Sequence, residues 1–219
     1  MPGYELVGAE ERAALNQIFE DSNGVLFAHG FVGLRNGHYR VREFETAFAQ
    51  KFGTAHAQAV SSGTMAQYVA MVAMGVRRGD EVITQSFTFV ATVEAIIALG
   101  AVPVIVDIDD TYNMDPAALE RAITPKTRLI VPVHMLGNNA DMDRIMAIAG
   151  RHKIPVLEDA CEALGATYHG RYTGTIGQAG IFSLDFAKTI TSGEGGMIVT
   201  NDAAIQKYCL LYTSPSPRD

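Results

Sequence analysis

Lys188 lies in the stretch FSLDFAKTITSGEGG, from Phe182 to Gly196, amid small, hydroxylated and glycine residues. A lysine that attacks a carbonyl must be neutral part of the time. Burial or a nearby cation arranges this, whereas a surface lysine stays charged and solvated. The apolar neighbours Phe182, Leu184, Phe186 and Ile190 predict burial. Glycines at 193, 195 and 196 permit backbone angles and close approaches that a Cβ resists, so a ligand can pack on the main chain. Taken alone, the same pattern describes a surface lysine beside a glycine turn.

Three upstream segments narrow the choice. Ser61-Ser62-Gly63-Thr64 opens a helical pattern from Met65 to Met74. The free N–H groups and positive dipole end there favour a phosphate, Gly63 lets it come close, and the Thr64 hydroxyl can donate. An ordinary N-cap is the plainer reading. Ser86-Phe87-Thr88-Phe89 follows the strand-like DEVIT. An aromatic at that end can stack on a flat heteroaromatic ring, or simply pack in the core. Glu158-Asp159-Ala160-Cys161-Glu162 follows IPVL. An aspartate there can pair with a pyridinium nitrogen, which keeps the ring an electron sink for carbanion chemistry. Its alternative is a helix N-cap, with Glu162 one turn on sharing a helical face with Asp159. His134 in PVHMLG either lines the site or is a satisfied structural histidine, and Cys161 reads as a small buried residue beside it.

The elements that must position these residues alternate along the chain. Strand-like AHAQAV, DEVIT, AVPVIVDI, RLIVPVH and IPVLED are separated by helix-period TMAQYVAMVAMG, VATVEAIIALG, MDPAALERAI and ADMDRIMAIAGRH. Continuous Val/Ile-rich strands with intervening helices predict an α/β fold, a mainly parallel sheet covered on both faces. Two further strands, near Gly180 to Leu184 and Met197 to Thr200, should bracket the Lys188 loop, and a helix should begin near Asp202. In open α/β sheets, ligands bind outside the carboxyl ends of strands, where all four segments fall.

Composition excludes several classes. The 219 residues suit one large domain burying about 70% of its unfolded surface. Hydrophobic residues make up 48% and charged residues 19%, which argues against disorder. A net charge of -7 without a basic run gives no nucleic-acid or anionic-membrane footprint. Cys161 and Cys209 are too few for a disulfide framework. With no apolar segment of signal-peptide or bilayer length, a cytoplasmic setting and small-molecule partners are expected. No metal is called for.

A phosphate cradle, a stacking aromatic, an acid for a ring nitrogen and a Schiff-base lysine, in this order, describe a pyridoxal 5'-phosphate enzyme. The motifs SSGT, TFVATVEAI, VPVHMLG, EDACEALGATY and KTITSGEGG closely resemble the DegT/StrS-type sugar aminotransferases of the aspartate aminotransferase (fold type I) superfamily. The resemblance runs from about residue 10 to about residue 208. It implies a three-layer αβα large domain whose Lys188 forms the internal aldimine and whose Asp159 pairs with the pyridine nitrogen. It also implies Gly63, Thr64, the Met65 amide and Ser183 as phosphate ligands and Phe89 as the stacking ring. Members usually carry Gln or His three residues after the aspartate, against the cofactor's phenolic oxygen; this chain has Glu162. The implied reaction moves an amino group from glutamate or glutamine to a keto sugar, typically nucleotide-linked, or to a cyclitol, in a homodimer.

Two other readings are open. VIVDIDDT, Val104 to Thr111, matches the DxDx[TV] signature of phosphatases with an aspartyl nucleophile, in which Asp107 would attack and Asp109 act as acid/base. However, such phosphatases place their lysine before the second acidic pair, and here Glu158-Asp159 precedes Lys188; a polar turn after a strand is the alternative. A cofactor-holding sensor without turnover is the second. GTIGQAG, Gly174 to Gly180, precedes a strand instead of following one, so it is not a dinucleotide loop. Residues 1–209 are expected to form the large domain with an N-terminal arm. The final LLYTSPSPRD, residues 210–219, is expected to leave the helical pattern and to resemble translated adapter sequence, the small carboxyl-terminal domain being absent.

Overall fold

The computed structural model describes residues 2–21, 37 and 39–213. After a 3-10 turn at Gly3–Leu6 come α1 (Ala9–Asp21), α2 (Arg40–Phe52), β1 (His56–Val60), α3 (Gly63–Ala73), β2 (Glu81–Gln85), α4 (Val90–Ala98) and β3 (Val102–Val106). Then follow α5 (Pro116–Ala122), β4 (Thr127–Val131), α6 (Met142–His152), β5 (Leu157–Asp159), the hairpin β6 (Thr167–Tyr168) and β7 (Arg171–Tyr172), β8 (Ala179–Ser183), β9 (Gly196–Thr200) and α7 (Ala203–Thr213). Local chemistry sets several boundaries. Ser62, Asp115 and Asp141 each cap a helix through the side chain, satisfying amides that lack an acceptor in the first turn. Left-handed Gly53 and Lys153 end α2 and α6.

Hydrogen bonding orders the strands β1-β9-β8-β5 and β3-β2-β4, and parallel bridges Ile130↔Val156 and Val133↔Asp159 join β4 to β5. The result is one sheet, β1-β9-β8-β5-β4-β2-β3. It is mainly parallel, as the alternating pattern predicts; β9 runs antiparallel to both its neighbours. The two strands around the Lys188 loop are β8 and β9, as expected.

Strand alternation sends successive residues to opposite faces, and here both faces are buried. Val82, Leu129, Val131, Ile181 and Ile198 join α3, α4 and α7 in one core. Ile83, Ile130 and Val106 pack with α5 and α6 on the other side, where α2 also adds Phe48 and Phe52 against Phe182, Met197 and Val199. This is why the strands read as continuous apolar runs: there is no solvated face to alternate with.

Two expectations are corrected. The segment after Asp159 is a pair of turns, closed by Ala163 N–H to the Ala160 carbonyl and Ala166 N–H to the Ala163 carbonyl, and not a helix. Asp159 accepts from the Cys161 amide two residues on, a local bond that competes with helix formation. Secondly, α7 continues past Cys209 to Thr213, so Leu210 to Thr213 extend the helix instead of leaving it; residues 214–219 of the expected tail lie outside the described residues. Among the described residues no helix is long and apolar enough to cross a membrane.

Candidate functional site

The carboxyl ends of β1, β2, β5 and β8 lie along one sheet edge, and β9, being antiparallel, brings its first residue Gly196 to the same edge, paired with both Val60 and Ser183. A Cβ on Gly196 would collide with the Ser62 carbonyl, and one on Gly63 would lie 2.9 Å from the Ser183 Cβ and 3.2 Å from the Cys161 Sγ. The glycines therefore draw three loops into contact: the start of α3, the end of β8 and the turn after β5.

At the start of α3, the Ser62 hydroxyl accepts from the Met65 amide at 3.1 Å. The N-cap reading of this segment holds: Ser62 caps, which engages Met65, while the Gly63 and Thr64 amides head the helix, where no earlier turn supplies an acceptor. Ser183, buried at the end of β8, faces Gly63 across this point.

Asp159, the last residue of β5, is buried on the α3–α4 side. Its Oδ2 accepts from Gln67 Nε2 at 2.6 Å and from the Thr92 hydroxyl at 2.9 Å, while Oδ1 accepts from the Cys161 amide at 3.1 Å. Burial pushes its carboxyl above the ordinary aspartate range, opposed by the bonds from Cys161 and Thr92 and by the nearby His134. Cys161, expected to be buried, is partly exposed; desolvation, with Asp159 close by, pushes its thiol well up too, holding it in the protonated form. Phe89 caps α4 one turn before Thr92 and leaves 64% of its surface exposed. An exposed aromatic ring thus lies one turn from Thr92, the hydroxyl that bonds the buried acid.

Lys188 sits in a loop bonded to itself. Leu184 donates to the Gly195 carbonyl and accepts from Ser192, Lys188 N–H closes a turn onto the Asp185 carbonyl, and Asp185 Oδ1 takes the Ala187 amide. The expected burial holds for Phe182 and Leu184 only. Phe186 and Ile190 are exposed, because the tight turn points them outward, and Phe186 rests against Tyr4 with ring centroids 6.0 Å apart. Lys188 Nζ lies 3.7 Å from Glu162 Oε1, both side chains being 25% exposed. Glu162 Oε2 accepts from the amide of Leu136 at 3.2 Å, a residue in the left-handed region (φ 54). So Glu162 serves the lysine loop and the loop after β4, and does not share a helical face with Asp159.

Other candidates fall outside this constellation. His134 is fully buried: its Nδ1 accepts from the Ala140 amide, which leaves Nε2 to donate to Glu158 at 3.1 Å. Glu158 also takes the amides of Gly174, Ile176 and Gly177, so the glycine-rich run wraps a carboxylate of the chain itself. The phosphatase motif is a turn beyond edge strand β3, in which Asp109 Oδ1 accepts from the amide and hydroxyl of Thr111.

Sequence reasoning passed over Gln67 and Thr92. The available signal was an amide at a core position: Gln67 shares the stripe of Ala70, Met71 and Met74 on α3, all buried, where an apolar residue is the norm.

The chain is 51% identical over 161 residues to the GDP-perosamine synthase of Caulobacter vibrioides, covering 73% of this chain and 43% of the relative. It is 48% identical over 167 residues to the L-glutamine:2-deoxy-scyllo-inosose aminotransferase of Micromonospora echinospora, 76% of this chain and 40% of that one. It therefore spans less than half the length of these relatives. Among solved structures, NtdA from Bacillus subtilis with bound cofactor PMP superposes with a TM-score of 0.83 at 34% identity, covering 95% of this chain and 46% of that one. Residues 30–218, which contain the start of α3, the buried Asp159 and the Lys188 loop together, match the model of one family, and the chain belongs to the DegT/DnrJ/EryC1/StrS aminotransferase family.

Proposed function

We propose that this chain is the cofactor-binding portion of a pyridoxal 5'-phosphate-dependent aminotransferase that moves an amino group from glutamate or glutamine to a keto sugar or cyclitol. The observation that carries this is the juxtaposition at one sheet edge of a buried carboxylate, free helix-start amides and a lysine paired with a carboxylate. The residues fit the cofactor: the Gly63 contact leaves no room for a Cβ where a phosphate would need the α3 amides and Ser183, and Asp159 supplies a buried carboxylate, oriented by Gln67 and Thr92, to face a ring cation. When bound, the cofactor supplies an electron sink for the pair released at a substrate α-carbon.

The chain's own residues then divide the work. Gly63, Thr64 and Ser183 hold the phosphate; the Met65 amide joins them only by leaving Ser62. Phe89 covers one face of the ring and excludes water from it. Asp159 fixes the ring nitrogen. Lys188 carries the cofactor between turnovers and, once released, takes the proton from the donor's α-carbon as general base. Glu162, 3.7 Å away, holds the ammonium form of Lys188 when the proton rests there. Relatives named for a GDP-linked sugar and for an inosose support a polyhydroxylated ketone as acceptor; the same proposal has a second copy completing the site as a homodimer.

The test is borohydride reduction of the protein with pyridoxal phosphate, followed by peptide mass analysis. The expected result is a cofactor-sized mass increment on the peptide carrying Lys188, absent from Lys188→Ala. Incorporation at another lysine, or at none in a folded full-length protein, overturns the assignment.

A further inference from the structure

Gln67 is buried, and its amide orientation is dictated by its neighbour. An amide oxygen 2.6 Å from a carboxylate oxygen would repel it, so Nε2 occupies that place, donating to Asp159 Oδ2 and lying 3.2 Å from the Thr92 hydroxyl. The cost is visible: Oε1 is the one buried side-chain polar atom without a hydrogen-bond partner among the described residues. A core amide that leaves its own acceptor unsatisfied in order to donate to a carboxylate is arranged around that carboxylate and not around stability.

We propose that Gln67 is a positioning residue for Asp159: its Nε2, with the Thr92 hydroxyl, fixes Oδ2 in one orientation and holds the buried carboxylate in its charged form for a cationic ligand group. The titratable groups facing Asp159 are His134, from the loop after β4, and Cys161 beyond β5, with Lys188 and Glu162 grouped around Cys161. From α3 and α4 the facing groups are the uncharged Gln67 and Thr92. Desolvation drives Asp159 toward its neutral form, so each donor retained keeps it charged to lower pH.

The test is Gln67→Met, which keeps length and volume, removes the donor and removes the orphaned oxygen. The first readout needs no cofactor: an NMR titration of isotope-labelled aspartate carboxyls, with the Asp159 signal assigned by its loss in Asp159→Asn. A charge-assisted hydrogen bond corresponds to roughly one pK unit or more, so the Asp159 titration should move up by about one unit. A purely structural role would change the melting temperature and leave that titration in place, which overturns the proposal. Should the methionine variant fail to fold, Gln67→Asn retains the amide but withdraws it by one methylene, and the same upward shift is expected.

The second readout rests on the proposed function. Affinity for pyridoxal phosphate should fall about tenfold in Gln67→Met near neutral pH, and the loss should deepen as pH falls. A shifted titration in a protein that binds no cofactor, wild type included, upholds Gln67 and sinks the aminotransferase reading. An unshifted titration with normal cofactor binding does the reverse.

Discussion

Glu158 and Asp159 are consecutive carboxylates at the end of one strand, and the fold treats them oppositely. Strand alternation sends Glu158 to one face of the sheet and Asp159 to the other. Glu158 meets three backbone amides and the His134 imidazole, two donors on each oxygen. Asp159 meets side chains from α3 and α4 and one amide, and burial drives it toward neutrality. The difference separates a carboxylate spent on holding a loop from the one to which the proposed function assigns chemistry. Backbone amides cannot be exchanged or reoriented, so Glu158 serves to lock the Gly174–Gly177 loop beneath β5 and has no capacity left for a ligand. Asp159 is held by groups that orient it without neutralising it, and a cation brought to the adjacent site would complete it.

If that division is right, the largest stability effect comes from Glu158→Ala. It strands three backbone amides, one buried and two partly buried, and one buried imidazole N–H at once, and breaking a buried charged network of this kind costs about 3–5 kcal/mol. Chemical denaturation of the two proteins measures it, and a loss below about 1 kcal/mol would show that the loop does not depend on its anion. His134→Leu should cost less, about 1–3 kcal/mol, since it removes one donor to Glu158 and the acceptor of the Ala140 amide. In that variant cofactor affinity should fall no more than the lost folded fraction accounts for. A larger fall would move His134 from the structural side of the comparison to the chemical one.

The chemistry proposed for Asp159 is legible in the sequence as one of two readings, a ring-nitrogen partner or a helix N-cap, and only the resemblance chooses between them. The alternation of apolar runs predicts the layers and the parallel sheet because each run is buried on both faces. The same alternation fixes that Glu158 and Asp159 diverge, but not which face carries the site. That depends on β9 entering antiparallel and carrying Gly196 to the start of α3, a long-range pairing with no local signal. The turn after Asp159 reads as helical in the sequence because an aspartate before small residues is also a good N-cap; its bond to the Cys161 amide decides otherwise. Glycines at 174 and 177 look like a failed nucleotide loop, since a nest for an internal anion and one for a phosphate share the same composition. Gln67 can be noticed only as a polar residue on an apolar stripe, because its partner lies 92 residues away.

The smallest effect on stability, and the sharpest on the comparison, is expected from Asp159→Asn. Burial raises the folded carboxyl above its ordinary value of 3.8, so the sign of its linkage is the reverse of a salt-bridged aspartate. Below that value both states are protonated and the site costs nothing. As pH rises past it, the unfolded chain ionises first and the folded protein loses stability until its own group ionises. The substituted amide does not titrate and brings no such loss. The stability difference, variant minus wild type, should therefore increase as pH rises from about 4 and level off once the folded carboxyl is charged. Adding pyridoxal phosphate should reverse the ranking at neutral pH, because only the carboxylate gains a cationic partner. Thermal melts across pH, with and without the cofactor, give both curves. A difference that is flat in pH would mean that Asp159 is as fully satisfied as Glu158, and the contrast between the two carboxylates would then fail.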